Sequence, residues 1–346
     1  MNIQRLGQSP DGQPIDLFTL RNNHGLAAQF TNFGGTLVSL RVPDARGQVA
    51  DVVLGFDEWE KYLGDHPAFG SLIGRYGNRI AHGRFALDGQ TYALAQNNGP
   101  HHLHGGLIGF DHRLWQGKDR STPDHDAVEM RYLSPDGEEG YPGNLEVRVT
   151  FRLTQQNDLR IEYHATTDAP TVVNLTHHGY FNLRGAGDIR DHELQLTCEQ
   201  FTPVDEDGLP TGEVLPVAGT ALDFRTAKRV GDALDSGDPH VKARQGFDHN
   251  FVLPDEDGRL QSFALLRDPH SGRSLELMTT HPGVQFYTAN FLNGPVGKGG
   301  FEYQPYQALC LETQGFPDAP NRPHFPSTVL RPGEVYEHVT VHRFGW

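Results

Sequence analysis

Val147-Arg148-Val149-Thr150-Phe151-Arg152-Leu153 alternates apolar and polar residues without a break. Successive side chains leave a strand on opposite sides, so a period of two marks an extended segment with one face turned to a core. The branched and aromatic residues on the apolar side suit a pleated, half-buried surface. Leu159-Arg160-Ile161-Glu162-Tyr163-His164 repeats the pattern, as do Glu193-Leu194-Gln195-Leu196-Thr197-Cys198 and Tyr336-Glu337-His338-Val339-Thr340-Val341-His342. Turn signals stand between such runs, among them Asp11-Gly12, Asp88-Gly89, Asn98-Gly99-Pro100, Pro135-Asp136-Gly137 and Pro332-Gly333. Helical spacing is scarce, and residues 57–63 and 229–234 each offer a turn or two. With 40 Gly and 23 Pro, the chain suits many short strands joined by tight turns. The expected fold class is all-β: one large, mainly antiparallel β-sandwich with a few short helices. No Pro/Ser-rich linker, low-complexity segment or clear internal repeat divides the chain, so a single domain over residues 1–346 is expected.

Charge and hydropathy narrow the partners. Lys and Arg total 29 against 44 Asp and Glu, a net of -15 with histidine neutral. A phosphate backbone needs a basic stripe, and none stands out, so nucleic acid is not an expected partner. Asp205-Glu206-Asp207 and Asp255-Glu256-Asp257 read as solvated loop faces. No uninterrupted apolar run approaches the roughly 20 residues of a membrane span. The N-terminal run Met1-Asn2-Ile3-Gln4-Arg5-Leu6-Gly7 lacks the basic-then-apolar pattern of a signal peptide. Two cysteines, Cys198 and Cys310, sit in strand-like apolar runs and read as buried free thiols, which fits a cytoplasmic location.

Two runs carry chemistry. In Ala308-Leu309-Cys310-Leu311-Glu312-Thr313-Gln314 the period of two puts Leu309 and Leu311 on one face and Cys310, Glu312 and Gln314 on the other. A carboxylate flanked by large apolar groups is expected to be partly desolvated, which raises its basicity. In Asn174-Leu175-Thr176-His177-His178-Gly179-Tyr180-Phe181-Asn182 the same period aligns Asn174, Thr176, His178 and Tyr180 in a polar row. One base and one imidazole acid suffice to move a proton off one oxygen and onto another.

Six motifs occur in order: Gly74-Arg75-Tyr76-Gly77-Asn78-Arg79-Ile80, Leu103-His104-Gly105-Gly106, residues 174–183, Gly246-Phe247-Asp248-His249-Asn250-Phe251, Pro282-Gly283-Val284-Gln285-Phe286-Tyr287 and Leu311-Glu312-Thr313-Gln314. Together they closely resemble the aldose 1-epimerase (galactose mutarotase) family, and the resemblance covers nearly the whole chain. It includes the run from Ser134 to Gly143 and the closing Leu330-Arg331-Pro332-Gly333-Glu334, which carry no obvious chemistry. The resemblance implies the large twisted sandwich of the galactose mutarotase-like fold and the interconversion of α and β anomers of free aldohexoses. It implies Glu312 as base, His178 as acid and His104 as an assistant near the ring oxygen. Asn78, Arg79, Asp248 and Gln285 match substrate-binding positions, a carboxylate such as Asp248 being able to accept from two vicinal hydroxyls. Tyr180 or Phe316 is expected to pack on the sugar's C–H face. A monosaccharide is the implied partner; no cofactor is implied, because no electrons move and both anomers have similar energy, and no metal is implied. The oligomeric state is left open.

The chain departs from the family pattern in two places. His177 stands beside the expected acid, and neighbours on a strand point oppositely, so His177 is expected to be structural. Gly315 replaces a larger polar residue, with an expected effect on the pocket rim and sugar preference. Arg75 and Arg84 read as structural or solvated. Three other readings compete with this one. His101-His102-Leu103-His104 resembles a cupin-like metal motif, but no glutamate follows at the needed spacing. A carbohydrate-binding module on the same fold would keep Arg79 and Asp248 without needing Glu312, His178 and His104 together. A hexose-phosphate epimerase would need further Arg or Lys at the pocket beyond Arg79.

Overall fold

The computed structural model describes residues 1–254 and 258–346; the acidic run Asp255-Glu256-Asp257, expected as a solvated loop, lies outside the described residues. The segment that opened the sequence reading is a strand, Leu145–Thr154, with Leu145, Val147, Val149, Phe151 and Leu153 buried and the residues between them part-exposed or exposed. It pairs antiparallel with His125–Ser134 on one side and Asp158–Thr167 on the other. These three strands lie within a nine-stranded sheet that continues through Tyr336–Gly345, Ser274–Thr279, Gln261–Arg267, Glu193–Leu196 and Lys228–Arg229.

A five-stranded sheet built from residues 2–51 packs on one end of the inner face of this large sheet, where Phe30 stacks on Phe151 with ring centroids 4.1 Å apart. A second five-stranded sheet contains Leu215–Pro216, Gln200–Thr202, Asp248–Val252, Gly283–Tyr287 and Cys310–Gln314, in that order. Its apolar residues Phe201, Phe251, Val284, Phe286 and Leu311 join Leu194, Leu196, Leu275 and Leu277 of the large sheet in one buried cluster. The architecture is therefore an all-β, antiparallel sandwich, because each period-two strand buries its apolar face against another sheet. The outer face of the large sheet carries ion pairs such as Arg152 with Glu162 at 3.1 Å and Arg131 with Glu129 at 2.7 Å.

Trp59–Leu63 forms a 3-10 turn and Val230–Leu234 a short α-helix. A further helix, Pro239–Ala243, was not anticipated, although Asp238-Pro239 carries a start signal. The Asp238 side chain accepts from the amide of His240, and proline at the first turn needs no intrahelical partner. Both cysteines are buried and free. No helix among the described residues is long and apolar enough to cross a membrane.

Candidate active site

The register of the second five-stranded sheet decides which side chains meet. Asp248 pairs with Tyr287, Asn250 with Gln285, and Gln285 with Glu312. Residues opposite one another in an antiparallel pair share a face, so Asp248, Asn250, Gln285, Tyr287, Cys310, Glu312 and Gln314 form one polar patch. The opposite face supplies Phe251, Val284, Phe286 and Leu311 to the core. Loops close over the polar face and leave a cavity of about 550 Å³, lined among others by Asn78, Arg79, His104, His178, Tyr180, Asp248, Gln285, Tyr287, Phe291 and Glu312. All seven site residues expected from the sequence therefore meet at one cavity.

His178 enters by backbone bonds, its N–H donating to the Ser71 carbonyl and its own carbonyl accepting from Gly70. His178 Nε2 lies 3.7 Å from Glu312 Oε2, and both side chains are buried. That oxygen has no hydrogen-bond partner among the described residues. His104, His178 and Glu312 each bring one nitrogen or oxygen within 4.8 Å of the others. Burial, then the Asp248 charge, pushes the Glu312 carboxyl up to about 8, with Arg79 opposing. Burial pushes the His178 imidazole down to about 4. Charge separation in this enclosure is costly, so the pair favours a proton on the carboxyl and a neutral imidazole.

The other side of each imidazole is also occupied. The Asn78 amide donates to Nδ1 of His104 at 3.1 Å, and the His104 amide donates back to the Asn78 carbonyl at 3.1 Å. An accepting Nδ1 leaves the proton of the neutral ring on Nε2. Burial and the neighbouring His178 hold His104 well below the ordinary histidine value, so the ring stays neutral. Asn78 and His104 both sit in the left-handed region, at φ 63° and 53°, a strained conformation held by its surroundings. Gly105 makes that turn possible: at φ 88°, a β-carbon would lie 1.8 Å from the Gly74 carbonyl oxygen. On His178, Nδ1 faces the Cys310 thiol at 3.6 Å, and burial keeps that thiol protonated by raising its pKa.

Asp248 is held on both oxygens, by Gln285 Nε2 at 2.8 Å and Arg244 Nη2 at 2.9 Å. Burial opposes its charge, yet Arg79 and Arg244 hold the carboxyl below its ordinary value. Arg79 donates to Asn98 Oδ1 at 3.1 Å, which aims the guanidinium along the cavity wall. Tyr180 stacks on His178 with centroids 4.8 Å apart.

Several expectations are corrected. The polar row of residues 174–180 divides, because only Thr176–His177 is paired as strand. His178 and Tyr180 line the cavity, whereas Asn174 is turned to Gly77 and Gly315, donating to their carbonyls at 3.0 and 3.3 Å and accepting from the Gly315 amide at 2.7 Å. Phe316 packs with Ala319 and Phe325 away from the cavity, so Tyr180 is the aromatic of the pair that reaches it. Gly315 lies against Asn174 and Thr328 and does not border the cavity, so it does not shape the rim. Alternation puts Cys310 on the face of Glu312, where it reads only as a buried free thiol, and it puts Tyr287 on the face of Gln285; Phe291 and Arg244 were missed, and nothing local marks Arg244.

Three further readings agree with the geometry. His177 points into the core, edge-on to Phe151. Arg75 is buried and donates to Ser134 Oγ and to the carbonyls of Ser134, Pro135 and Pro142, which gives the run 134–143 its purpose as a brace. The imidazoles of residues 101–104 go to separate partners: His101 accepts from His82, His102 meets Ala95 and Tyr141, and His104 joins Glu312. The motif therefore does not gather into the metal site considered for it.

The aldose 1-epimerase family model matches residues 16–343. The human galactose mutarotase is 46% identical over 344 residues, covering 98% of this chain and 96% of that protein. The aldose 1-epimerase of Escherichia coli K12 is 40% identical and covers 97% of each chain. Among solved structures, a galactose 1-epimerase from Lactobacillus acidophilus superposes with a TM-score of 0.89 at 30% identity, covering 99% of this chain and 98% of that one. With a match of that length to the family model, relatives covered almost end to end and the corresponding fold, the chain belongs to the aldose 1-epimerase family.

Proposed function

We propose that this protein is a mutarotase that interconverts the α and β anomers of free aldohexoses such as galactose and glucose. Glu312 takes the proton from the C1 hydroxyl while His178 gives a proton to the ring oxygen. The C1–O5 bond breaks, C1 becomes an aldehyde, and rotation about C1–C2 presents its other face. Reclosure reverses both transfers: O5 returns its proton to His178 and O1 recovers one from Glu312. The reactive arrangement differs from the resting one by a single proton moved from the carboxyl to the imidazole, so the proton count of the pair never changes. His104, fixed as an Nε2–H donor, supports the charge developing on oxygen. Asp248, Gln285, Asn78 and Arg79 hold the sugar hydroxyls.

The observation that carries this reading is the meeting of Glu312 and His178 at 3.7 Å on the floor of a cavity walled by sugar-binding groups. A module that only bound sugar would have no use for a desolvated acid–base pair. Two buried free thiols favour a reducing compartment, and we place the enzyme in the cytoplasm. Polarimetry of freshly dissolved α-D-galactose and α-D-glucose tests the proposal. Rotation should change faster than the spontaneous rate with the wild type and not with Glu312→Gln. A wild type without effect would refute it, and sugar phosphates would then be the next substrates to examine.

A further inference from the structure

Arg244 stands at the end of the helix Pro239–Ala243 with its guanidinium buried beneath the cavity wall. Its Nη2 donates to Asp248 Oδ2 at 2.9 Å and its Nη1 to the Glu206 carbonyl at 3.0 Å. The guanidinium carbon lies 5.2 Å from the ring centroid of Phe291, which borders the cavity. The Arg244 carbonyl accepts from Asn290 Nδ2 at 3.1 Å, tying the helix end to the loop after the Gly283–Tyr287 strand. Gly208 seals the arrangement: a β-carbon there would come 2.8 Å from an Arg244 nitrogen and 3.2 Å from the Arg79 guanidinium carbon. The turn 205–208 therefore covers both arginines with its backbone, while Asp205, Glu206 and Asp207 stay exposed, as expected of a solvated loop face.

Asp248 thus has one protein donor on each oxygen, Gln285 on Oδ1 and Arg244 on Oδ2. The remaining lone pairs are left for hydroxyls. Asp248 is also a second carboxylate beside Glu312, and a buried carboxylate without a counter-charge takes up a proton or turns away. Among the residues lining the cavity Arg79 is the one arginine, so Arg244 acts from behind the wall with its charge already committed. We propose that Arg244 is a positioning residue for sugar recognition, holding the Asp248 carboxylate in one orientation so that vicinal hydroxyls meet two fixed acceptor edges. This rests on the mutarotase reading, and its mark is a loss of substrate binding with little loss of turnover.

The test is steady-state mutarotation of α-D-galactose with the full chain, comparing Arg244→Met, Arg244→Lys, Asp248→Asn and the Arg244→Met/Asp248→Asn double variant. Arg244→Met should raise KM by about ten- to a hundredfold while kcat changes by less than about threefold. Arg244→Lys, which keeps the charge but not the fork, should recover most of that loss. In the Asp248→Asn background Arg244→Met should change KM by less than about twofold, since the pair acts as one unit. An unchanged KM in Arg244→Met, or an effect undiminished in the Asp248→Asn background, overturns the proposal. If thermal unfolding shows that Arg244→Met does not fold, Arg244→Gln carries the same comparison under the same criteria. An inactive wild type would instead refute the mutarotase reading, which separates the two failures.

Discussion

Glu312 Oε2 and His178 Nε2 face each other at 3.7 Å with both side chains buried. The enclosure raises the carboxyl to about 8 and lowers the imidazole to about 4. Each group thereby favours its neutral form, and a sugar hydroxyl entering between them would meet a base and an acid separated by one proton transfer. The Asp248 charge adds to the rise in Glu312, so the carboxylate proposed to bind sugar also tunes the one proposed to react.

Replacing Glu312 with glutamine keeps the shape and removes the base. kcat is expected to fall by about 10²- to 10⁴-fold, the usual contribution of a positioned proton-transfer group. Galactose binding, measured by calorimetry, should persist. Normal turnover in this variant would remove Glu312 from the mechanism.

The pH profile of kcat/KM should be a bell whose limbs are exchanged relative to the simplest expectation. A glutamate base and a histidine acid with ordinary values would lose activity at low pH through the glutamate and at high pH through the imidazole. Here the one-proton state of the pair spans the interval between about 4, set by His178, and about 8, set by Glu312. Asp248→Asn removes a charge that raises Glu312, so its alkaline limb should move to lower pH. An alkaline limb that stays in place would break the link between the two carboxyls.

Cys310 is the partner of His178 on the side away from substrate, at 3.6 Å from Nδ1. Cys310→Ala should lower kcat by about three- to tenfold with KM unchanged, because the ring loses its orienting contact and not a substrate contact. Cys310→Ser, which restores a polar partner for Nδ1, should recover most of the rate. If alanine and serine behave alike, the thiol is only filling space.

Acid should destabilise the fold steeply. Burial lowers His342, His338, His249 and His192 to about 4 and His177 to about 3. Unfolded histidine titrates near 6.5, so below that pH the unfolded chain binds the additional protons. The stability these rings contribute is full above 6.5 and is lost as pH falls from 6.5 through about 4. Glu312 has the opposite sign: raised from 4.5 to about 8, it favours the folded state below 4.5, and that contribution is lost as pH rises through 8. The thermal midpoint should therefore drop sharply below pH 6.5 and decline gently toward pH 8, and Glu312→Gln should abolish the gentle decline alone. A midpoint flat between pH 4 and 6.5 would contradict the burial of these rings as neutral groups.

Local alternation was enough for the strand-rich sandwich, and the family motifs picked out the residues that meet at the cavity. Alternation in Val147–Leu153 is a local property, and it names the buried face wherever the strand ends up. The same period separated Glu312 from Leu311, and the family motifs singled out His178, His104 and Asp248. Periodicity failed where the strand failed: only residues 176–177 of the 174–180 run form a strand, while Asn174 makes a lone bridge to Tyr76 and turns its side chain to Gly77 and Gly315. What crosses from one element to another was decided by the tertiary structure alone. The Asn78 clamp on His104, the thiol of Cys310 on a histidine 132 positions away, and Arg244 behind Asp248 depend on register and loop closure. The proton inventory belongs to the same class. A carboxyl at about 8 beside an imidazole at about 4 comes from the removal of water around both, and that exclusion exists only once distant segments have packed together.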